Sequence, residues 1–199
     1  MNPRIAEIMG MIHRLEDDLE VEFARRKLDL AYTVRDGKVR FEEYVLKRHK
    51  RFRSRLLSYI LGARPLMVLT APLIYAMIIP FVLLDALVSL YQIACFPVYG
   101  VAAVRRRDHM VFDRGHLAYL NWLEQFNCFY CSYANGVISY VREIAARTEQ
   151  YWCPIKHARR IVGAHERYHK FSDYGDAAAY HTELEALRKE LNQQRGLGG

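Results

Sequence analysis

The 40 residues PLMVLTAPLIYAMIIPFVLLDALVSLYQIACFPVYGVAAV, Pro65 to Val104, decide how this chain is read, because they contain a single charge, Asp85. The other residues are dense in Lys, Arg, Asp and Glu, and the mean hydropathy of the whole chain is close to neutral at -0.13. Such a contrast within 199 residues separates a lipid-facing segment from water-facing ones.

A bilayer core of about 30 Å is crossed by ~20 helical residues, so 40 residues suffice for two crossings. The flanks agree. Seven Lys or Arg and no acid lie between Lys47 and Arg64, and Arg105, Arg106 and Arg107 follow the apolar run. Basic flanks prefer the cytoplasmic side, and one crossing would export one of the two. A hairpin turning between Pro80 and Asp85 moves Asp85 from the bilayer centre, where a carboxylate costs about 2.5–3.5 kcal/mol, to an interface. Pro80 favours a break there because it has no N–H to donate. The arm Pro65–Ile79 is short unless Leu56–Ala63 joins it while Arg64 snorkels, so the hairpin either makes two passes or is re-entrant. The fold class expected is thus mainly α: a membrane-embedded helical hairpin with cytoplasmic helices, in a bacterial-type inner membrane with both termini cytoplasmic. The competing reading is a buried hairpin inside a soluble protein.

Net charge is +7 with a pI near 9.3, which admits nucleic acid or anionic lipid as partner. The position of the charge selects anionic lipid and disfavours nucleic acid. Lys47, Arg48, Lys50, Arg51, Arg53, Arg55, Arg64, Arg105, Arg106 and Arg107 all lie near the ends of the apolar run, where each is worth about 1 kcal/mol on an anionic surface. The opening MNPRIAEIMGMIHRLEDDLE lacks the apolar core of a secretory signal.

Four segments follow from this pattern: 1–64 with an N-terminal helix, a short hairpin and a basic membrane-proximal helix; 65–104 in the membrane; 105–175 as a helical Cys/His module; 176–199 as an amphipathic helix and tail. Within the first, Ile5, Ile8, Ile12, Leu15 and Leu19 alternate spacings of three and four, a coiled-coil seam. Tyr180, Leu184, Leu187 and Leu191 repeat it. The two stripes pair with each other, with a protein partner or in a homo-oligomer, or else each covers the core. Asp36-Gly37 between LAYTV and VRF signals a β-hairpin near residues 29–41. Beyond Arg107, HLAYLNWLEQF and VISYVREIAARTEQ read as two helices punctuated by Asn135-Gly136.

Two constellations suggest chemistry. Cys128, Cys131, Cys153 and His157 follow C-x2-C, a gap of 21, then C-x3-H, which offers the thiolate and imidazole donors of a tetrahedral zinc site, with iron as the second choice. Alternatively Cys128 and Cys131 act as a thiol–disulfide pair, or all are reduced core residues. Cys95, inside the apolar run, reads as packing. His165-Glu166-Arg167-Tyr168-His169 satisfies H-E-x-x-H, in which His165 and His169 bind a second metal and Glu166 acts as general base. Arg167 and the nearby Gly163 and Gly175 weaken that match. No phosphate-binding loop, dinucleotide fingerprint or serine-hydrolase elbow is present. The function expected is a membrane-anchored Cys/His zinc module for protein–protein contact or assembly rather than an enzyme. A membrane thiol oxidoreductase or redox sensor comes second and an H-E-x-x-H metal hydrolase third.

Overall fold

The computed structural model describes residues 3–35 and 38–196. It is mainly helical, with one small antiparallel sheet of two strands. The chain divides into two compact units, one comprising Met1–Arg64 and Phe112–Phe129, the other Pro65–Val111 and Tyr130–Gly199.

In the first unit, α1 (Pro3–Asp29) leaves Ile8, Ile12, Leu15 and Leu19 exposed, so the seam is unoccupied within the unit. Strands β1 (Tyr32–Arg35) and β2 (Lys38–Phe41) pair in the register Tyr32↔Phe41, Thr33↔Arg40, Val34↔Val39. The hairpin is where the sequence places it; its expected tip, Asp36-Gly37, lies outside the described residues. The basic stretch forms α2 (Glu43–Arg51), anchored by the buried Val45, and the short α3 (Leu56–Leu61) follows.

In the second unit the apolar run forms α4 (Pro65–Ala76) and α5 (Ile78–Tyr99). The expected turn between Pro80 and Asp85 is absent, since both residues lie inside α5. The interruption is a single residue, Met77, which keeps right-handed helical dihedrals (φ −64, ψ −10). Pro80 is the physical cause. It cannot donate to the carbonyl of Ala76, four residues back, and the chain resumes around that gap instead of reversing. Pro65–Tyr99 is one helix of 35 residues long and apolar enough to cross a membrane, about 52 Å at 1.5 Å per residue.

Gly100 closes α5 in the left-handed region (φ 72), with the Gly100 and Val101 N–H groups donating to Pro97 and Phe96 carbonyls, a Schellman stop. Side-chain amide groups of Gln92 then clamp the departing backbone: Nε2 donates to the Val104 carbonyl (3.3 Å) and Oε1 accepts from the Val104 N–H (2.7 Å). The chain passes through α6 (Arg106–His109) and a 3-10 turn at Arg114–His116 to α7 (Trp122–Trp152), which is unbroken for 31 residues.

That continuity corrects the reading of two helices divided at Asn135-Gly136. Asn135 donates to the Cys131 carbonyl one turn back (2.9 Å), which a helix tolerates. Gly136 serves contact rather than punctuation, for a Cβ there would lie 2.9 Å from both the His109 carbonyl oxygen and Met110 Cγ. Overpacking costs about 1–3 kcal/mol, more than the ~1 kcal/mol that alanine gains over glycine in a helix. Gly136→Ala is therefore expected to lower the urea midpoint of the purified protein, despite better helix propensity.

The start of α7 carries a signal that the spacing of apolar residues conceals. Asn121 Oδ1 accepts from the Glu124 N–H (3.0 Å), and Glu124 Oε2 accepts from the Asn121 N–H (2.8 Å), a reciprocal capping box. Ser54 ties into it by accepting from Asn121 Nδ2 (3.0 Å).

The core of the second unit joins Phe96, Val101, Val104, Tyr140, Ile144 and Leu191. Leu191 and the buried Leu187 belong to α8 (Ala177–Gly196). The C-terminal stripe thus covers the core of its own unit, whereas the stripe on α1 stays open.

Candidate functional site

The four expected zinc donors are not brought together within the chain. Cys128 and Cys131 sit in α7, while Cys153 follows its last residue. Cys131 and Cys153 are 22 positions apart on and beyond a continuous helix, about 33 Å along its axis. All four cysteines are free. Burial, and then the neighbouring Glu149 carboxylate, push the Cys153 thiol up, so thiolate is disfavoured there. His157 stacks on Tyr168 (6.3 Å between centroids, 18°), and its backbone N–H donates to the Tyr168 hydroxyl (2.6 Å).

The H-E-x-x-H residues occupy a 3-10 turn, Glu166–Lys170, preceded by His165 in extended conformation. With His165 in extended backbone (φ −72, ψ 161) and His169 inside the 3-10 turn, the shared face that an α-helix gives positions four apart is lost. His165 Nε2 pairs with Glu149 (2.8 Å), and its ring packs edge-on against Tyr168 and Phe171. Among the described residues, no three His, Cys, Asp or Glu side chains converge to hold an ion.

Arg167, the residue that weakened the motif, is the centre of the local network. It donates to Glu143 (2.9 Å) and to the buried Gln150 (2.9 Å), and Arg147 approaches Glu143 from one turn away (2.8 Å). Burial alone would raise the Glu143 carboxyl, but hydrogen bonds and charge from Arg147 and Arg167 outweigh it and hold the group below its ordinary value near 4.5. A carboxylate depressed on folding stabilises the protein fully above the unfolded value, and that contribution is lost as pH falls through the folded one. Glu143→Gln is accordingly expected to flatten the acid limb of stability below about pH 4.5, read as urea midpoint against pH; an unchanged limb contradicts the assignment.

Asp85 is buried among partners that its sequence position does not announce. Arg106 forks onto it (Nε to Oδ1 3.2 Å), the Tyr133 hydroxyl donates to Oδ2 (2.9 Å), and Ser89 donates to Oδ1 (3.4 Å). Arg106, expected on lipid headgroups, is thus partly engaged in the interior, while Arg105 and Arg107 stay exposed.

Two surfaces stand out. The first is the helix pair α4–α5. Ala71, Tyr75, Ile78, Phe81, Asp85, Gln92 and Phe96 form a packed or half-packed line, with Tyr75 edge-on to Tyr130 and Ile74 accepting from the Tyr130 hydroxyl. The opposite face exposes Leu66, Leu69, Leu73, Leu83, Leu87, Leu90, Ile93 and Val98, with the exposed Thr70 among them turning its hydroxyl back to the Leu66 carbonyl (3.1 Å). Its extent far exceeds the scattered apolar residues of an ordinary soluble surface.

The second is a cleft of about 330 Å³ in the first unit. Tyr32, Phe41, His49 and Tyr119 form a continuous run of rings along it, with successive centroids 5.4, 5.2 and 5.2 Å apart. Arg48, Arg114 and Asp113 also line it. Only Arg48 of these was singled out by sequence. The rings come from a strand pair, a helix and a distant loop, so no local spacing marks them. Comparison with family models, with curated proteins and with solved structures found no match for this chain.

Proposed function

We propose that the protein is a monotopic membrane-anchored docking module, with α4–α5 lying in one leaflet and the basic α2 region resting on anionic headgroups. The observation that carries this reading is the exposed apolar face from Leu66 to Val98 on a helix pair whose other face is half-buried at Ala71 and Tyr75 and buried at Asp85, Gln92 and Phe96.

Two features favour an in-plane helix over a crossing one. Residues on both sides of the apolar run meet in the first unit, where His49 packs on Tyr119 and Ser54 bonds Asn121. Both flanks therefore share one side of any membrane. A crossing helix would also need a second crossing through residues 100–121, which carry Arg105, Arg106, Arg107, Asp108, Asp113 and Arg114 in mostly irregular backbone. Hydrocarbon does not accept unpaired backbone groups of that kind. Lying along the headgroup boundary avoids both penalties. Positive flanks support the anionic cytoplasmic leaflet as the surface it occupies. The exposed seam of α1 then serves as the contact for a protein partner or a second copy.

The test labels single cysteines at Leu69 and Leu90 in a cysteine-free background and measures depth by quenching with spin-labelled lipids. The two positions are expected at equal depth, with the protein retained on membranes through high salt and alkaline carbonate. Depths differing by about 30 Å, the span of 21 helical residues, or release by salt alone, would overturn the reading.

A further inference from the structure

We propose that the cleft of the first unit binds a singly charged phosphate ester bearing an apolar group. The volume, about 330 Å³, lies at the lower end of the range for ligand pockets, roughly 300–1,000 Å³. It suits one headgroup or one small ester, not an extended cofactor.

The lining supplies both halves of such a ligand. Leu30, Val39 and Leu117 are apolar, and the run Tyr32, Phe41, His49 and Tyr119 offers ring faces and edges for stacking. Arg48 and Arg114 line the same cleft, and neither has an ion-pair partner among the described residues. Guanidinium forks match phosphate oxygens in geometry as well as charge. Asp113 opposes them, so the two cations and one acid sum to +1, which favours a mono-anion over a dianion. His49 supplies the second sign of a missing partner: its Nδ1 is buried without a hydrogen bond among the described residues. Orphaned buried ring nitrogens are uncommon in finished structures, and a bound ligand or an ordered water resolves them.

The same chemistry has two sources, a lipid diester headgroup or a soluble ester. The lipid source rests on the membrane-anchored reading above, because α2, which contributes Arg48 and His49, is the helix assigned there to the headgroup layer. The soluble source does not depend on it.

The experiment uses the full chain in detergent with diphenyl phosphate as probe, followed by isothermal titration. Saturable binding is expected, weakened at least tenfold in Arg114→Gln and in Tyr119→Ala, with circular dichroism unchanged in at least one of them. No saturable binding, or equal affinity in both folded variants, overturns the proposal. A second arm competes the probe with phosphatidylglycerol vesicles and with vesicles carrying the same charge as oleate. Displacement by phosphatidylglycerol alone supports the lipid source, and displacement by neither, with binding intact, supports the soluble one. Should the protein bind no vesicle yet retain the probe, the anchoring reading fails and the cleft stands.

Discussion

Arg106→Met is expected to destabilise the second unit by about 3–5 kcal/mol, the range for breaking a buried pair so that one charge is left alone. The asymmetry of the pair sets the size. Asp85 keeps only 10% of its side-chain exposure whereas Arg106 keeps 51%. Removing the arginine strands a carboxylate in an apolar helix with only the Tyr133 and Ser89 hydroxyls to solvate it. Removing the acid instead, as Asp85→Asn, leaves a guanidinium that swings into water and an amide oxygen still able to accept from Tyr133. That variant should lose less than half as much. Urea unfolding of the purified protein, followed by fluorescence, measures both; equal losses, or a larger loss for Asp85→Asn, would show that the buried charge is not what matters.

Tyr140→Ala should cost a similar amount, about 3–5 kcal/mol by analogy with other buried aromatic truncations. Tyr140 is 2% exposed at the centre of the core and meets His109 edge-on. Its hydroxyl accepts from Gln92 Nε2 (3.1 Å), the same amide that holds the Val104 carbonyl. The ring and the hydroxyl separate experimentally. Tyr140→Phe keeps the ring and removes the hydroxyl's bonds to Gln92 (3.1 Å) and Ser89 (3.5 Å), together worth about 1–2 kcal/mol because Gln92 retains its backbone acceptor and Ser89 still reaches Asp85. A Phe variant as unstable as the Ala variant would transfer the stabilisation from packing to the polar network.

Both effects act through partners on α5, Asp85 and Gln92, which explains why its sequence misleads. Read alone, Pro65–Val104 is apolar on every side, so nothing in it separates an exposed line from a protein-facing one. Asp85 invites a turn because an isolated carboxylate avoids hydrocarbon. Its partners, Arg106 and Tyr133, are 21 and 48 residues away, and no local pattern connects them. Likewise Asn135-Gly136 carries the composition of a loop, yet Gly136 is small so that residues 109–110 can approach the helix. The Cys and His spacings suggested a zinc site only if α7 broke between Cys131 and Cys153. With that break gone, the helix holds the two ends apart.

What the sequence determined by itself is what depends on neighbours along the chain. The apolar run is helical, β1 and β2 pair where alternation predicts strands, the α1 seam repeats, and the basic clusters flank the apolar segment. These follow from propensity, periodicity and charge within a few residues. Only the tertiary structure decided which face of α4–α5 is covered, that Asp85 meets Arg106, that α8 completes the core of its own unit, and that four rings and two arginines share a cleft. Each of those outcomes joins residues tens of positions apart, and their free energy comes from burial and pairing that exist only once the distant segments have met.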